Sequence, residues 1–318
     1  MFNVAIIGAG QLGSRHLQGL KLAASPLSIT VMDSSEESLK VAKARYEDTS
    51  TIGKKSCNLV TSIENLPKEL DLVIIATGSK PRAAIVKSLI EHAMVKYLVL
   101  EKVLFPTLVD YCNVASLLKQ KGVRCWVNCP RRMYGVYKQI KETIDPQKPI
   151  YMTKADENWG LCCNAIHMID IFMYLTEEST YTIETKWLDK EIEGSKRDGY
   201  IEMTGMLKIS TPEGHELTLI SENNFDGVKT MMIENNNNMY VISEGGGSWT
   251  LNNERYSFEM PFQSQLTGIL ADELLITGGC SLTPFDMSVN YHKPFIEALL
   301  STYNELTDDS NNKLLPIT

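Results

Sequence analysis

The chain has 318 residues, 43% hydrophobic and 22% charged, a globular composition long enough for two domains. With 39 acidic against 31 basic residues the formal charge is -8, and no run of Lys or Arg offers a footprint for a phosphate backbone, so nucleic acid is not an expected partner. No apolar stretch approaches the roughly 18 residues that cross a bilayer, and the opening MFNVAIIGAG lacks an export signal's cationic region and long apolar core, so neither membrane nor export is expected.

Up to about residue 129, short apolar runs alternate with longer amphipathic stretches, the pattern of βαβ units feeding a parallel sheet. Strands are predicted at Asn3–Ile7, Ser28–Asp33, Leu72–Ala76, Tyr97–Leu100 and Arg124–Val127, with helices starting near Gln11, Glu36, Lys80 and Leu108. The strands are nearly continuous apolar runs, as helices on both faces of a sheet require. Beyond residue 150 the segments lengthen and alternate, as in YTIETKWLDKEIE, YIEMTGMLKIS and HELTLISE, and turn formers such as Thr211-Pro212-Glu213-Gly214 and Asn252-Asn253 separate several of them. That texture predicts an antiparallel sheet, with the run Asn235–Asn238 as a loop or hairpin tip. One helix is expected early, roughly Cys162–Leu175, and two near the end, at Ser264–Thr277 and Pro284–Thr302.

Gly8, Gly10 and Gly13 form G-x-G-x-x-G directly after an apolar strand and at the opening of a helix. In that context the first glycine permits a tight turn, the second lets a pyrophosphate approach the backbone, and the third lets helix and strand pack closely. The helix N-terminus then presents amides and partial positive charge to the diphosphate. An acidic residue is expected about 20 positions later, and Asp33 lies 33 − 13 = 20 residues beyond Gly13. A carboxylate there accepts from ribose hydroxyls and repels a 2′-phosphate. No arginine follows at Ser34 or Ser35, although Lys40 and Lys43 lie nearby, so NAD is expected and NADP is the alternative. The fold expected is an α/β Rossmann N-terminal domain, residues 1–129, plus an α+β C-terminal domain, residues 130–318, with a large, mostly antiparallel open sheet. The last helix has the option of packing back on the first domain.

Three segments, GAGQLGSRH, LVLEKVLF and WGLCCNAIHMIDIFMYL, resemble the glucose-fructose oxidoreductase/inositol dehydrogenase family, Gfo/Idh/MocA, and the resemblance extends over essentially the whole chain. It implies a hydride transfer between a nicotinamide cofactor and a secondary alcohol or ketone of a sugar, polyol or nucleotide sugar. It also implies a homodimer or homotetramer built on the second sheet. The family's Glu-Lys-Pro motif falls on Glu101-Lys102-Val103, with valine in the proline's place, and its substrate-side histidine falls on His167. An ammonium at Lys102 would stabilise a developing alkoxide while His167 exchanges the proton, each from one side of a cleft between the domains. Glu101 orients Lys102 or packs near the cofactor in this reading. Many members carry aspartate four residues before the histidine, where this chain has Cys163, and Asn164 is the candidate to bond the substrate instead.

The implied cofactor set is Gly8, Gly10, Gln11, Leu12, Gly13, Asp33, Ala76, Thr77, Glu101 and Lys102, and the substrate set is Lys102, Asn164, His167, Arg131, Arg132 and Trp159. Arg131 and Arg132 read equally well as structural ion pairs, and His16 reads as a packing residue or a neighbour of the cofactor. Cys163 and His167 share a helical face at a spacing that can hold zinc, but only two ligands are visible and no metal is expected. The seven cysteines, Cys57, Cys112, Cys125, Cys129, Cys162, Cys163 and Cys280, lie mostly in apolar segments and form no disulfide framework, which points to the cytoplasm. Two other readings stay open. One is a catalytically silent dinucleotide or sugar sensor, and the other is a reductase of a non-sugar carbonyl or imine.

Overall fold

The apolar runs of the first half do become strands, and their spacing sets a doubly wound sheet. Strand β1 (Phe2–Ile7), helix α1 (Gln11–Lys21), β2 (Leu27–Met32), α2 (Glu36–Glu47) and β3 (Lys55–Val60) build one half. Then β4 (Glu69–Ile75), α3 (Ser79–His92), β5 (Met94–Glu101), α4 (Leu108–Lys121) and β6 (Arg124–Asn128) build the other. The six strands are parallel in the order 3-2-1-4-5-6. Residues such as Ile6, Ile29, Val73, Ile74, Leu98 and Val99 are fully buried, and each contributes roughly 1.5–3 kcal/mol of transfer free energy. Strand β3 was not among the predicted strands. It is the edge of the sheet, half-exposed along its length, and its sequence KSCNLV has no continuous apolar run.

This computed structural model describes residues 1–318, which divide into two compact units. The first unit holds Met1–Phe105 and Val109–Asn128, and the second holds Pro106–Leu108 and Cys129–Met260. In the second unit come helix α5 (Gly135–Thr143), strand β7 (Ile150–Glu157), helix α6 (Leu161–Thr176) and strand β8 (Thr182–Leu188). The short pair β9 (Glu193–Gly194) and β10 (Ile201–Glu202) precedes β11 (Gly205–Ser210), β12 (Glu216–Glu222), β13 (Met231–Asn235), β14 (Asn238–Ser243), β15 (Ser248–Leu251) and β16 (Glu254–Ser257).

Eight of these strands form one sheet in the order 16-15-14-13-7-12-11-8. All neighbours are antiparallel except β7 and β12. The asparagine run is the hairpin tip expected: Asn235 pairs with Asn238, and Asn236 takes the left-handed backbone that asparagine tolerates. Asn252 and Asn253 likewise both have positive φ in the β15–β16 turn, the pattern of a two-residue hairpin.

The chain then returns. Pro261–Phe285, containing helix α7 (Gln263–Thr277) and strand β17 (Thr283–Pro284), belongs to the first unit, where β17 adds antiparallel to β6. Helix α8 (Phe285–Thr307) lies in the second unit from Asp286 onward. A single cut after residue 129 leaves out this return, which puts α7 in the first unit. The physical reason is a close crossing with α1. A Cβ on Gly19 would meet Thr267 Cβ at 2.6 Å, and one on Gly268 would meet the Gly19 carbonyl oxygen at 2.7 Å. On α7, Asp272 also accepts from the amides of Ala24 and Ser25 at 2.7 and 2.9 Å, capping the turn that leaves α1.

Candidate functional site

The glycine turn of the first unit lies at the carboxyl end of β1, beside β4, where the strand order reverses and open α/β sheets bind ligands. Gly8 has φ +98°, and a Cβ there would press on Thr77 and on the Ala76 carbonyl carbon at 3.0–3.1 Å. A Cβ on Gly13 would lie 1.8 Å from the Gly8 carbonyl oxygen, so glycine alone allows the helix to seat on the turn. Gly10 is different: a Cβ there meets nothing within 4 Å. The space it leaves open lies over the N-terminus of α1, where Gln11, Leu12 and Gly13 form the first turn and unpaired amides favour an anion. Thr77 Oγ1, at the end of β4, is buried with no hydrogen-bond partner from the chain.

At the end of β2, Asp33 Oδ2 accepts from the Ala9 amide at 2.6 Å and Oδ1 from the Ser35 amide at 2.8 Å. The carboxylate is thereby aimed at the glycine turn with lone pairs to spare. These residues fit a dinucleotide: an open cradle, a helix N-terminus, an orphaned hydroxyl and an oriented carboxylate. Arg45 escaped the sequence reading. From α2 its guanidinium donates to Ser14 Oγ at 2.5 Å and Gln11 Oε1 at 2.8 Å, placing a cation against the first turn of α1. No sequence signal marks it, because it sits among other charges on an exposed amphipathic helix.

Lys102 follows β5 and is half-buried, whereas its neighbours Glu101, Val103, Leu104 and Phe105 are buried. Glu101 belongs to a polar cluster within the first unit. Its Oε1 lies 2.8 Å from His16 Nε2 and accepts from Asn128 Nδ2 at 2.6 Å, while Asn128 Nδ2 also reaches Gln263 Oε1 at 3.0 Å. Arg82, fully buried on α3, donates to the carbonyl oxygens of Thr77, Val103 and Leu104. Neither Arg82 nor Asn128 was singled out from the sequence.

In the second unit, α6 buries twelve of its sixteen residues, and Asn164 and His167, one turn apart, are among the four that stay half-exposed. Cys163, by contrast, is buried, and its amide donates to Glu202 Oε1 at 3.3 Å, while the Cys162 amide donates to Glu202 Oε2 at 2.8 Å. Burial pushes the Cys162 thiol well above its ordinary range, with Glu202 adding to the shift, so it is an inert core thiol. Asn164 Nδ2 donates to the Trp159 carbonyl at 2.8 Å, and Trp159 Nε1 donates to the Ile220 carbonyl at 2.8 Å. Both polar groups thus help hold the entry to α6.

The two arginines differ in their partners. Arg132 Nε donates to Asp170 Oδ2 at 2.8 Å in a buried ion pair. Arg131 instead makes two parallel bonds to Glu244, at 2.8 and 2.7 Å, and Tyr137 Oη donates to the same carboxylate at 2.5 Å. Burial alone would raise the Glu244 carboxyl, but Arg131 and the Tyr137 hydroxyl override it and hold the group below its ordinary range. Glu244 borders a cavity of about 460 Å³ that Lys154, Asp156, Ser243 and Met168, the residue after His167, also line. The cavity therefore brings the helix of His167 and the Arg131 pair to one place, a grouping the sequence did not reveal.

A parallel sheet with this fingerprint at its switch point defines a dinucleotide-binding α/β protein. Residues 2–129, which carry the fingerprint and the six parallel strands, match the model of the oxidoreductase family Gfo/Idh/MocA, NAD-binding Rossmann fold. No curated protein matches it in sequence. The fold is similar to that of UDP-N-acetylglucosamine 3-dehydrogenase from Acidithiobacillus ferrooxidans, at 13% identity and TM-score 0.73, over 96% of this chain and 99% of that one. It is also similar to an oxidoreductase from Agrobacterium radiobacter in complex with NAD+, L-tartaric acid and magnesium, at 16% identity and TM-score 0.70, over 96% and 97%. A third is the biliverdin reductase from Synechocystis in complex with biliverdin and NADP+, at 14% identity and TM-score 0.70, over 94% and 98%. At these identities the likeness is one of fold.

Proposed function

We propose that the chain is an NAD-dependent dehydrogenase or reductase acting on a secondary alcohol or ketone of a sugar, polyol or nucleotide sugar. The observation that carries this reading is His167, left half-exposed with Asn164 on a helix that otherwise buries nearly every residue. Two polar, half-exposed residues one turn apart on so apolar a helix support contact with a substrate. When bound, the dinucleotide supplies a hydride acceptor or donor. In the oxidative direction His167 takes the proton of the substrate hydroxyl, the Lys102 ammonium stabilises the alkoxide oxygen, and the carbon-bound hydrogen leaves as hydride, so the carbonyl forms with charge and protons balanced.

Asp33 supports NAD over its phosphorylated form, because an oriented carboxylate accepts from both ribose hydroxyls and repels a phosphate. Seven cysteines free of disulfides fit the cytoplasm. The test is absorbance of reduced nicotinamide with a panel of polyols, aldoses and nucleotide sugars. Turnover on such a compound is expected. Tight NADH binding with no turnover on any of them would replace the enzyme with a sensor, and turnover confined to non-sugar carbonyls or imines would replace the substrate class.

A further inference from the structure

Lys102 carries the charge in the proposed chemistry, and where its ammonium lies depends on where the backbone places its four-carbon stem. The backbone around it is fixed by two buried groups from different helices. Upstream, Glu101 Oε1 accepts from Asn128 and faces His16 Nε2 at 2.8 Å. The other ring nitrogen of His16 lies 2.9 Å from Thr267 Oγ1. That hydroxyl also donates to the Gln263 carbonyl at 2.8 Å, and the imidazole is held at both ring nitrogens, between Thr267 and Glu101. Downstream, beyond the end of β5, Arg82 supplies the Val103 and Leu104 carbonyls with donors from a guanidinium that is 1% exposed. A valine at 103 leaves φ free where proline would lock it, so the restraint comes from outside the segment.

We propose that His16 and Arg82 are positioning residues for Lys102, clamping the peptide on either side of it to helices α1 and α3. His16 lies three residues beyond Gly13 on the helix whose N-terminus would face a bound dinucleotide. One imidazole therefore ties the frame of the cofactor to the frame of the lysine. A misplacement of about 1 Å at a reacting group costs on the order of 100-fold in rate, which gives such a clamp its value. The proposal rests on Lys102 acting at the substrate, but its test does not require turnover.

The test is competitive acetylation with trace acetic anhydride across pH, read lysine by lysine by mass spectrometry, on wild type, His16→Asn, Arg82→Lys and Thr267→Val. In each variant that keeps its far-ultraviolet circular dichroism, the rate–pH curve of Lys102 is expected to move, with rates changing about threefold or more, while those of Lys154 and Lys208 hold. Thr267→Val is nearly isosteric and removes the hydroxyl at Nδ1 together with its bonds to Gln263, leaving every charge in place, so it carries the test if the charged variants fail to fold. Lys102 curves that superimpose on wild type in the folded variants would overturn the clamp. Lys102→Ala with full turnover would instead sink the role of the lysine in the reaction and leave the labelling result standing.

Discussion

Single residues divide here into buried ones that hold structure and half-exposed ones to which the proposed chemistry gives a role. Lys102 and His167 are half-exposed among buried neighbours, and removing either group's charge or proton exchange is expected to lower turnover by about 10²–10⁴-fold. Steady-state kinetics of Lys102→Ala and His167→Ala, with NADH affinity measured separately, check this: kcat should fall while cofactor binding holds. Cys163→Ala should do far less, because Cys163 is buried and bonded through its backbone. Loss of activity in that variant with little change in His167→Ala would reverse the assignment. Asp33 makes a different prediction. Its two amide bonds already aim it at the glycine turn, so Asp33→Ala should weaken NADH by about 10- to 100-fold and narrow the preference over NADPH. Calorimetric titration with both cofactors decides it, and a wild-type preference for NADPH would point to Arg45 or a neighbouring cation as the phosphate ligand.

At the scale of elements, what the sequence made legible follows from how local each signal is. The strand–turn–helix of the fingerprint is local, and β1, Gly8 and α1 stand where the motif placed them. Strand β3 was missed because an edge strand with KSCNLV has no apolar run to announce it. Helix α5 was also missed, although Val136, Tyr137 and Ile140, its buried residues, are spaced for one helical face. The return of α7 and the clamp around Glu101 were not readable at all, since nothing in Gln263, Thr267 or Arg82 says which distant strand it will meet.

The elements can be tested through their tightest contacts. Gly13→Ala puts a methyl against the Gly8 carbonyl, where no side chain can yield, and should abolish NADH binding and lower the thermal midpoint by several degrees. Glu244 gives the pH test for the second unit. Its carboxyl is held below its ordinary range, so its contribution is complete above about pH 4.3 and is lost as pH falls through the lowered folded value. Glu244→Gln should therefore be less stable than wild type at pH 7, with the gap closing below about pH 4 in urea unfolding. An equal gap at both pH values would mean that the carboxylate charge contributes nothing.

For the molecule as a whole, the second sheet poses the remaining question, because its two faces are unlike. One face carries Met152, Leu217, Leu219, Ile233, Tyr240 and Ile242, all buried, and helix α6 packs against β7 and β12. The other face follows from the pairing register, which aligns Thr153 with Thr218 and Met232, and Met232 with Val241. Along it Tyr151 is 45% exposed and Met232 36% exposed, with Ile220 and Val241 half-buried on the flanking strands β12 and β14. A face of this kind, with half-exposed apolar residues among threonines and with Glu216 and Glu234 beside Tyr151, suits a two-fold contact between copies. A homodimer or homotetramer through this face is therefore expected at micromolar concentration, seen by light scattering as at least twice the mass of one chain. A lysine at each of Met232 and Val241 would place like charges across the two-fold axis and should shift the assembly toward monomer without unfolding it. A wild type that stays monomeric at those concentrations would show that threonines and half-burial suffice to keep the face in water.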